Sequence, residues 1–374
     1  MTYAPFTLTY PSRIIFEIGG AARLAQELAS FRRILLVTGS HFSGTEDFDK
    51  IMESLRGFEV RHESGIHPEP PLEDVDRLIC AGREFKADCV VAIGGGSIID
   101  SAKAAAALIP LDGWCADYFT GKKEIPGKGL FFAALPTSSG TGAEITNNSV
   151  LTDPATKIKK SLRHPSMVAD VAIADPVLTL SCPPSQTAAS GLDAFVQAFE
   201  SCTSPKASSV SRALSYAAIR RIRENLLNAC RYPSVLDYRT GMSEGSLLSA
   251  MAFSQTGLGA IHGLAHPIGS LLHVPHGKAC ATLIPAIVAW NLPCCREEYA
   301  AIARECGFGS AAEDFLDGAL ELCRALEVRA DFSEYGLNES HFDFIVKNCR
   351  SASMKLNPRP MTDDDVRELL KTLV

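Results

Sequence analysis

One contrast constrains this chain more than any other. Up to Asp175-Pro176 short β-type runs alternate with helical patterns, and beyond that point the β-type runs stop. Residues 34–37 form an apolar run closed by Thr38-Gly39-Ser40, followed by a helical pattern over 47–55 and a strand-like 59–62. Pro68-Glu-Pro-Pro71 breaks the chain and opens a helix to residue 86, then come an apolar run at 89–93, a glycine-rich turn and a helix over 98–108. Further strands are expected at 130–135 and 171–174. Strands separated by crossover-length helices imply a mostly parallel sheet covered on both faces, so its strands are apolar throughout. In the second half, residues 185–203, 207–231, 238–255, 259–272, 281–291 and 313–326 read as helices punctuated by Pro and Gly. The expected architecture is an α/β domain over residues 1–180 and an all-α domain over 181–374.

Composition narrows the classes. A chain of 374 residues exceeds one ordinary core, in keeping with two domains. A net charge of −7 argues against a nucleic-acid or anionic-membrane surface. The twelve cysteines are scattered without a CxxC pair, the pattern of reduced thiols rather than a disulfide framework. The start, Met1-Thr-Tyr-Ala-Pro-Phe6, has neither a basic nor a long apolar region, and the apolar runs fall short of the ~20 residues a membrane helix needs. A soluble, cytoplasmic protein without nucleic-acid or membrane partners is expected.

Three strand ends carry turns suited to phosphate. Gly94-Gly95-Gly96-Ser97 follows an apolar strand and precedes a helix, whose N-terminus offers free N–H groups and positive dipole. It lacks the GxGxxG spacing of the common dinucleotide fingerprint, and by itself it is equally a plain strand-to-helix turn. Pro136-Thr-Ser-Ser-Gly-Thr-Gly-Ala-Glu144 adds hydroxyls and flexible backbone after the next strand. Ligands of open α/β sheets lie beyond the C-terminal strand ends, where these two turns and Thr38-Gly39-Ser40 would meet one extended, phosphate-bearing ligand.

The helical half holds a different kind of signal. Asp193 and Gln197 are four residues apart, on one helix face; His262 and His266 repeat that spacing. With His273 and His276 they make four histidines within fifteen residues, while His164 lies apart. A carboxylate plus imidazoles suits Fe²⁺ or Zn²⁺. Each histidine singly is more often a cap or core residue, and spacing does not select which of them bind.

Taken in order, Gly94-Gly-Gly-Ser-Ile-Ile-Asp-Ser-Ala-Lys103, Pro136 to Glu144, Asp193-Ala194, Gly259 to Gly269, Pro275-His-Gly277 and Asn357-Pro-Arg-Pro-Met-Thr362 resemble the iron-containing (group III) alcohol dehydrogenases. The resemblance runs from Ser12 to the C-terminus. It implies an α/β nucleotide-binding domain, a helical metal- and substrate-binding domain, a catalytic Fe²⁺ or Zn²⁺ in the cleft between them, and a homodimer. Gly95, Gly96 and Ser97 would hold the pyrophosphate, and Thr137, Ser138 and Thr141 would surround the phosphates and the adenine side. Lys159 would bind the nicotinamide ribose, and Asp100 would lie near the nicotinamide. The metal set carries over as Asp193, His262 and His276, with His266 the non-ligand active-site histidine and Phe253 lining the substrate pocket. The implied reaction interconverts a small primary or secondary alcohol and its aldehyde or ketone, with His266 relaying a proton.

Two positions depart from, or refine, that pattern. Where the family has a second ligand histidine, this chain has Gln197, whose amide oxygen is a neutral and weaker donor. That change leaves lower metal affinity, altered metal choice and a metal-free reductase open, and the intact Asp193, His262 and His276 favour a bound metal. Where NAD-specific members often carry an Asp after the first strand, Gly39-Ser40 offers no carboxylate to repel a 2′-phosphate, which favours NADP over NAD. A non-redox lyase on the dehydroquinate-synthase-like scaffold is disfavoured, because Lys206 and Lys278 are isolated rather than clustered beside the histidines. A non-catalytic nucleotide binder is disfavoured by the retained Asp193, His262, His266 and His276.

Overall fold

The computed structural model describes residues 6–156 and 158–374, which form two compact units. The first spans Tyr10–Cys182; the second comprises Pro183–Val374 with the described residues up to Thr9.

The first unit is built on strands β1 (Arg13–Phe16), β2 (Arg33–Thr38), β3 (Glu59–Glu63), β4 (Cys89–Gly94), β5 (Phe131–Pro136), β6 (Asn148–Asp153), β7 (Ile158–Arg163) and β8 (Val171–Ala174). Its helices are α1 (Leu24–Glu27), α2 (Glu46–Ser54), α3 (Leu72–Phe85), α4 (Gly96–Leu108) and α5 (Cys115–Phe119). Six strands form one parallel sheet in the order β1-β8-β5-β4-β2-β3. Alternate side chains of each strand enter different cores. Leu35, Val37, Val90, Ala92, Phe132 and Ala134 pack with α3 and α4, whereas Ile34, Leu36, Val91, Ile93, Ala133 and Leu135 pack with α1 and α2. Burial on both faces is the physical reason these strands read as unbroken apolar runs.

The antiparallel hairpin β6-β7 and the edge strand β1 were not expected. Strand β7 reads Ile-Lys-Lys-Ser-Leu-Arg and is largely exposed, so neither propensity nor alternation betrays it. Strand β1 has four residues and owes its form to pairing with β8.

The second unit is helical: α6 (Pro184–Thr203), α7 (Ser209–Arg231), α8 (Leu236–Thr256), α9 (Ala260–Leu272), α10 (His276–Cys306), α11 (Ala312–Ala325), α12 (Phe342–Asn348), α13 (Ala352–Lys355) and α14 (Asp363–Lys371). The expected helix over 281–291 is the middle of α10, which runs through Pro285 and Pro293 and leaves helical geometry only at Cys295. By length and composition α10 is apolar enough to cross a membrane, but 56% of its most apolar window is buried in this protein. Its Leu283, Ile284, Ile287 and Val288 share one core with Phe195 and Phe199 of α6.

Two glycines let α6, α9 and α10 approach closely. A Cβ at Gly277 would fall 1.7 Å from the Ala189 carbonyl oxygen, so only glycine lets the first turn of α10 lie against α6. A Cβ at Gly259 would come 2.8 Å from Glu200 Oε1, so glycine there leaves room for that carboxylate at the start of α9.

Candidate functional site

On α6, Asp193, Gln197 and Glu200 recur at i, i+4 and i+7 and share one face. His262 lies in the first turn of α9, and His276 opens α10 with Cys280 one turn later. Asp193, His262, His276 and Cys280 converge so that one ligand atom from each lies within 4.8 Å of all the others. Asp193, Gln197, Glu200, His262 and Cys280 are each no more than 4% exposed, so water cannot satisfy them. The His276 side chain retains 26% of its exposure and marks the open side of the cluster.

The hydrogen bonds fix the roles of these atoms. Glu200 Oε1 accepts from the Ile261 N–H at 2.8 Å, while Oε2 lies 2.6 Å from His262 Nδ1. A carboxylate only accepts, so Nδ1 carries the proton and His262 Nε2 faces Asp193 Oδ1 at 3.1 Å. A proton or a cation has to mediate between that nitrogen and that oxygen. Burial works to lower the His262 pKa, but Cys280, Glu200 and Asp193 outweigh it and hold the imidazole well above its ordinary value. Burial pushes the Cys280 thiol up to about 11, against the opposing pull of His262.

Carboxylate, imidazole and metal in series is the usual way a ligating histidine is oriented. The donors here (one carboxylate oxygen, two imidazole nitrogens, one sulfur) fit a borderline-soft divalent cation. Asn357 supports the arrangement from a distance. Its Oδ1 accepts from the Ala260 N–H at 3.1 Å and its Nδ2 donates to Asn291 Oδ1 at 2.7 Å, which pins the start of α9.

The other residues singled out in the sequence have these surroundings. Gln197 Nε2 donates to Asp193 Oδ2 at 2.9 Å, and Gln197 Oε1 has no hydrogen-bond partner. The His266 ring stacks on His276 with centroids 4.9 Å apart. His273 is exposed and ends α9 in left-handed geometry, and His164 caps a short turn by accepting from the Ser166 N–H. Phe253 is half-buried on α8. Sequence reasoning missed Glu200 and Cys280. One lies seven residues after Asp193 and the other four after His276 on the same helix faces, a spacing that solvated residues share.

In the first unit, the turns after β2, β4 and β5 lie side by side because those strands are neighbours in the sheet. Helix α4 begins in the β4 turn with no side-chain cap on its first N–H groups, an arrangement suited to an anion. The turns touch: a Cβ at Gly96 would lie 2.8 Å from Thr141 Oγ1, a Cβ at Gly95 would lie 3.5 Å from Ser138 Oγ, and the Thr137 N–H donates to the Gly94 carbonyl at 3.0 Å. Ser97 sits in the first turn of α4, half-buried. At Gly39 an added Cβ meets nothing nearer than Ile98 Cγ1 at 4.0 Å, and Ser40 follows at the exposed edge.

Asp100 and Lys159 are already engaged within this unit. Asp100 Oδ2 accepts from the Val150 N–H at 3.0 Å, and burial raises its carboxyl to about 6. Lys159 Nζ pairs with Glu69 Oε1 at 2.7 Å. Lys103, not singled out as a site residue, is fully buried and donates to the carbonyls of Ala143, Thr146 and Asn148 at 2.6 to 2.8 Å. It thereby holds the segment after the β5 turn, and burial lowers its pKa to about 8.

Comparison with known proteins identifies the fold and the family. The profile of the iron-containing alcohol dehydrogenases matches residues 11–176, and that of the Fe-containing alcohol dehydrogenase family, C-terminal, matches 187–374. The chain is 34% identical to long-chain-alcohol dehydrogenase 1 of Geobacillus thermodenitrificans (strain NG80-2), over 90% of this chain and 88% of that protein. It is 31% identical to the NADPH-dependent butanol dehydrogenase of Clostridium saccharobutylicum, over 97% and 96%. The structure of sulfoacetaldehyde reductase from Bifidobacterium kashiwanohense in complex with NAD⁺ superimposes with a TM-score of 0.92 at 27% identity, covering 100% of this chain and 99% of that one. The α/β sheet, the helical unit and the ordered motifs thus have one common explanation: the chain belongs to the iron-containing alcohol dehydrogenase family of oxidoreductases.

Proposed function

We propose that this protein is a cytoplasmic, homodimeric, metal-assisted dehydrogenase that interconverts a small primary or secondary alcohol and its aldehyde or ketone with NADP. The observation that carries the reading is the convergence of buried Asp193 and His262 with half-buried His276, His262 being oriented by Glu200. These three would hold Fe²⁺ or Zn²⁺, with a further donor from Gln197 or Cys280. The ion supplies Lewis acidity toward the substrate oxygen, and the nicotinamide supplies or accepts a hydride.

The chain's own residues do the rest. Gly95, Gly96 and Ser97 at the uncapped start of α4 would bind the pyrophosphate, with Thr137, Ser138 and Thr141 beside them. Lys159 would exchange Glu69 for the ribose hydroxyls, and Asp100 would anchor the base of α4 beneath the nicotinamide end. The His266 imidazole, stacked on His276, would pass the proton of the alcohol toward solvent. NADP is favoured because Gly39 and Ser40 present no carboxylate to a 2′-phosphate. The twelve cysteines are all free, as a reducing compartment requires.

The test is a panel of small aldehydes and alcohols assayed with NADPH and NADH, with and without added Fe²⁺ or Zn²⁺. The expected result is NADPH-preferring turnover that a strong chelator abolishes and added metal restores. His266→Ala should lower kcat with metal content unchanged. Full activity in chelator refutes the metal role, and turnover without net change in NAD(P)H refutes the dehydrogenase reading.

A further inference from the structure

Four features of the helical unit concern Gln197 and Cys280 together, and they rest on the reading that Asp193, His262 and His276 hold a metal. The first is which oxygen of Asp193 each neighbour uses. Oδ1 faces both imidazoles, at 3.1 Å from His262 Nε2 and 3.7 Å from His276 Nε2. Gln197 engages the other oxygen, Oδ2, through its amino group. A carboxylate cannot donate, so the amide cannot be reversed without setting oxygen against oxygen. Gln197 therefore braces the back of the ligand rather than extending the ring of donors.

The second feature is the thiol. Cys280 Sγ lies 3.7 Å from His276 Nε2 and also engages His262. Among the described residues it is the one cysteine that joins a carboxylate and two imidazoles in a metal-sized group. Metal–nitrogen and metal–oxygen bonds of about 2.05 Å and a metal–sulfur bond of about 2.3 Å give donor–donor edges of about 2.9 to 3.8 Å at angles of about 90° to 120°, a range that keeps a fifth place open for the substrate oxygen. The observed 3.1, 3.7 and 3.7 Å lie close to those edges.

The third feature is rigidity. Gly277 presses the first turn of α10 against the Ala189 carbonyl, and His276 and Cys280 occupy successive turns of that helix. Their sulfur and nitrogen are thus fixed with respect to Asp193 on α6. The fourth is the orphan atom: Gln197 is 3% exposed, yet its Oε1 has no hydrogen-bond partner. A buried carbonyl oxygen without a donor is costly, so Gln197 holds this pose at an expense that its bond to Asp193 Oδ2 offsets.

We propose that the Cys280 thiolate is the fourth protein donor to the ion, in the coordination place that Gln197 leaves, with Gln197 a positioning residue for Asp193. The ion enters as a divalent cation, the S–H bond gives its proton to solvent, and a sulfur–metal bond forms without electron transfer. A carboxylate, two imidazoles and a thiolate shift the site from iron toward zinc chemistry.

The experiment strips the full-length protein with chelator and titrates it with Co²⁺, a spectroscopic probe for Zn²⁺ sites. Wild type should bind one Co²⁺ per chain with a thiolate-to-cobalt charge-transfer band in the near ultraviolet. Cys280→Ser should lose the band, weaken Co²⁺ and Zn²⁺ binding on the order of 100-fold, and narrow the preference for Zn²⁺ over Fe²⁺. Adding Gln197→His to Cys280→Ser should restore affinity without restoring the band, which also shows that the variant folds. One Co²⁺ per chain in wild type without the band, or a band that survives Cys280→Ser, overturns the thiolate while leaving the metal site standing. Absence of Co²⁺ and Zn²⁺ binding in wild type overturns both.

Discussion

The turns proposed for the nucleotide and the donor cluster proposed for the metal are built from different materials. In the α/β unit the candidate surface is backbone: glycines at 94 to 96, uncapped N–H groups of α4, and turns that touch because their strands are neighbours. In the helical unit it is side chains, brought together from α6, α9 and α10 and held by Glu200, Gln197 and Asn357. A backbone site depends on the absence of side chains, whereas a side-chain site depends on chemistry delivered at particular atoms. Adding a side chain should therefore damage the first region and removing one the second, and each change should spare the other's ligand.

The largest effect is expected at Asp193. Asp193→Ala removes the oxygen shared by both imidazoles, and metal affinity should fall roughly a thousandfold, about a quarter of the ~16 kcal/mol a four-ligand zinc site can release. Calorimetric NADPH binding should stay within twofold of wild type. Loss of NADPH binding in that variant would break the separation between the regions.

Glu200→Gln keeps the shape but removes the charge and leaves one acceptor oxygen for two donors, Ile261 N–H and His262 Nδ1–H. Metal affinity should drop about 10- to 100-fold, the usual cost of losing a partner behind a ligand. Elemental analysis after dialysis against graded chelator reads this directly, and unchanged retention would deny Glu200 its orienting role.

In the α/β unit, Gly96→Ala places a methyl 2.8 Å from Thr141 Oγ1. The cofactor KM should rise about tenfold, equivalent to about 1.4 kcal/mol and within the range for overpacking. Metal content should not change. A metal deficit here would mean that the turn matters to both sites.

The smallest effect is a change of preference. The space beside Gly39 accepts a side chain, so Gly39→Asp should fold normally and shift the NADPH-to-NADH ratio of kcat/KM about tenfold toward NADH, roughly 1.4 kcal/mol of repulsion against the 2′-phosphate. Wild type that already prefers NADH tenfold would remove the basis for the assignment.

Much of this was legible along the chain, and the reason is locality. The strands β2, β4, β5 and β8 are buried on both faces, so their apolar runs announce them without any partner. Turns at their C-terminal ends are local as well, which is why Gly94 to Ser97 and Thr137 to Gly142 could be read as one surface. The pairs Asp193/Gln197 and His262/His266 follow from helical spacing alone. What tertiary structure decided is everything that depends on which faces meet. The hairpin strand β7 exists only because β6 pairs with it, and its charged residues give no periodic signal. Helix α10 runs through two prolines because α6 and its other neighbours bury it, overriding local propensity. Glu200 and Cys280 are ordinary residues in sequence, and no spacing rule tells an acid that caps another helix from a solvated one. Their roles arise because Gly259 and Gly277 let three helices approach until a carboxylate, two imidazoles and a thiol share one space, open only on the His276 side. Burial of those groups in common turns residue identity into a donor set, and only the packed chain determines it.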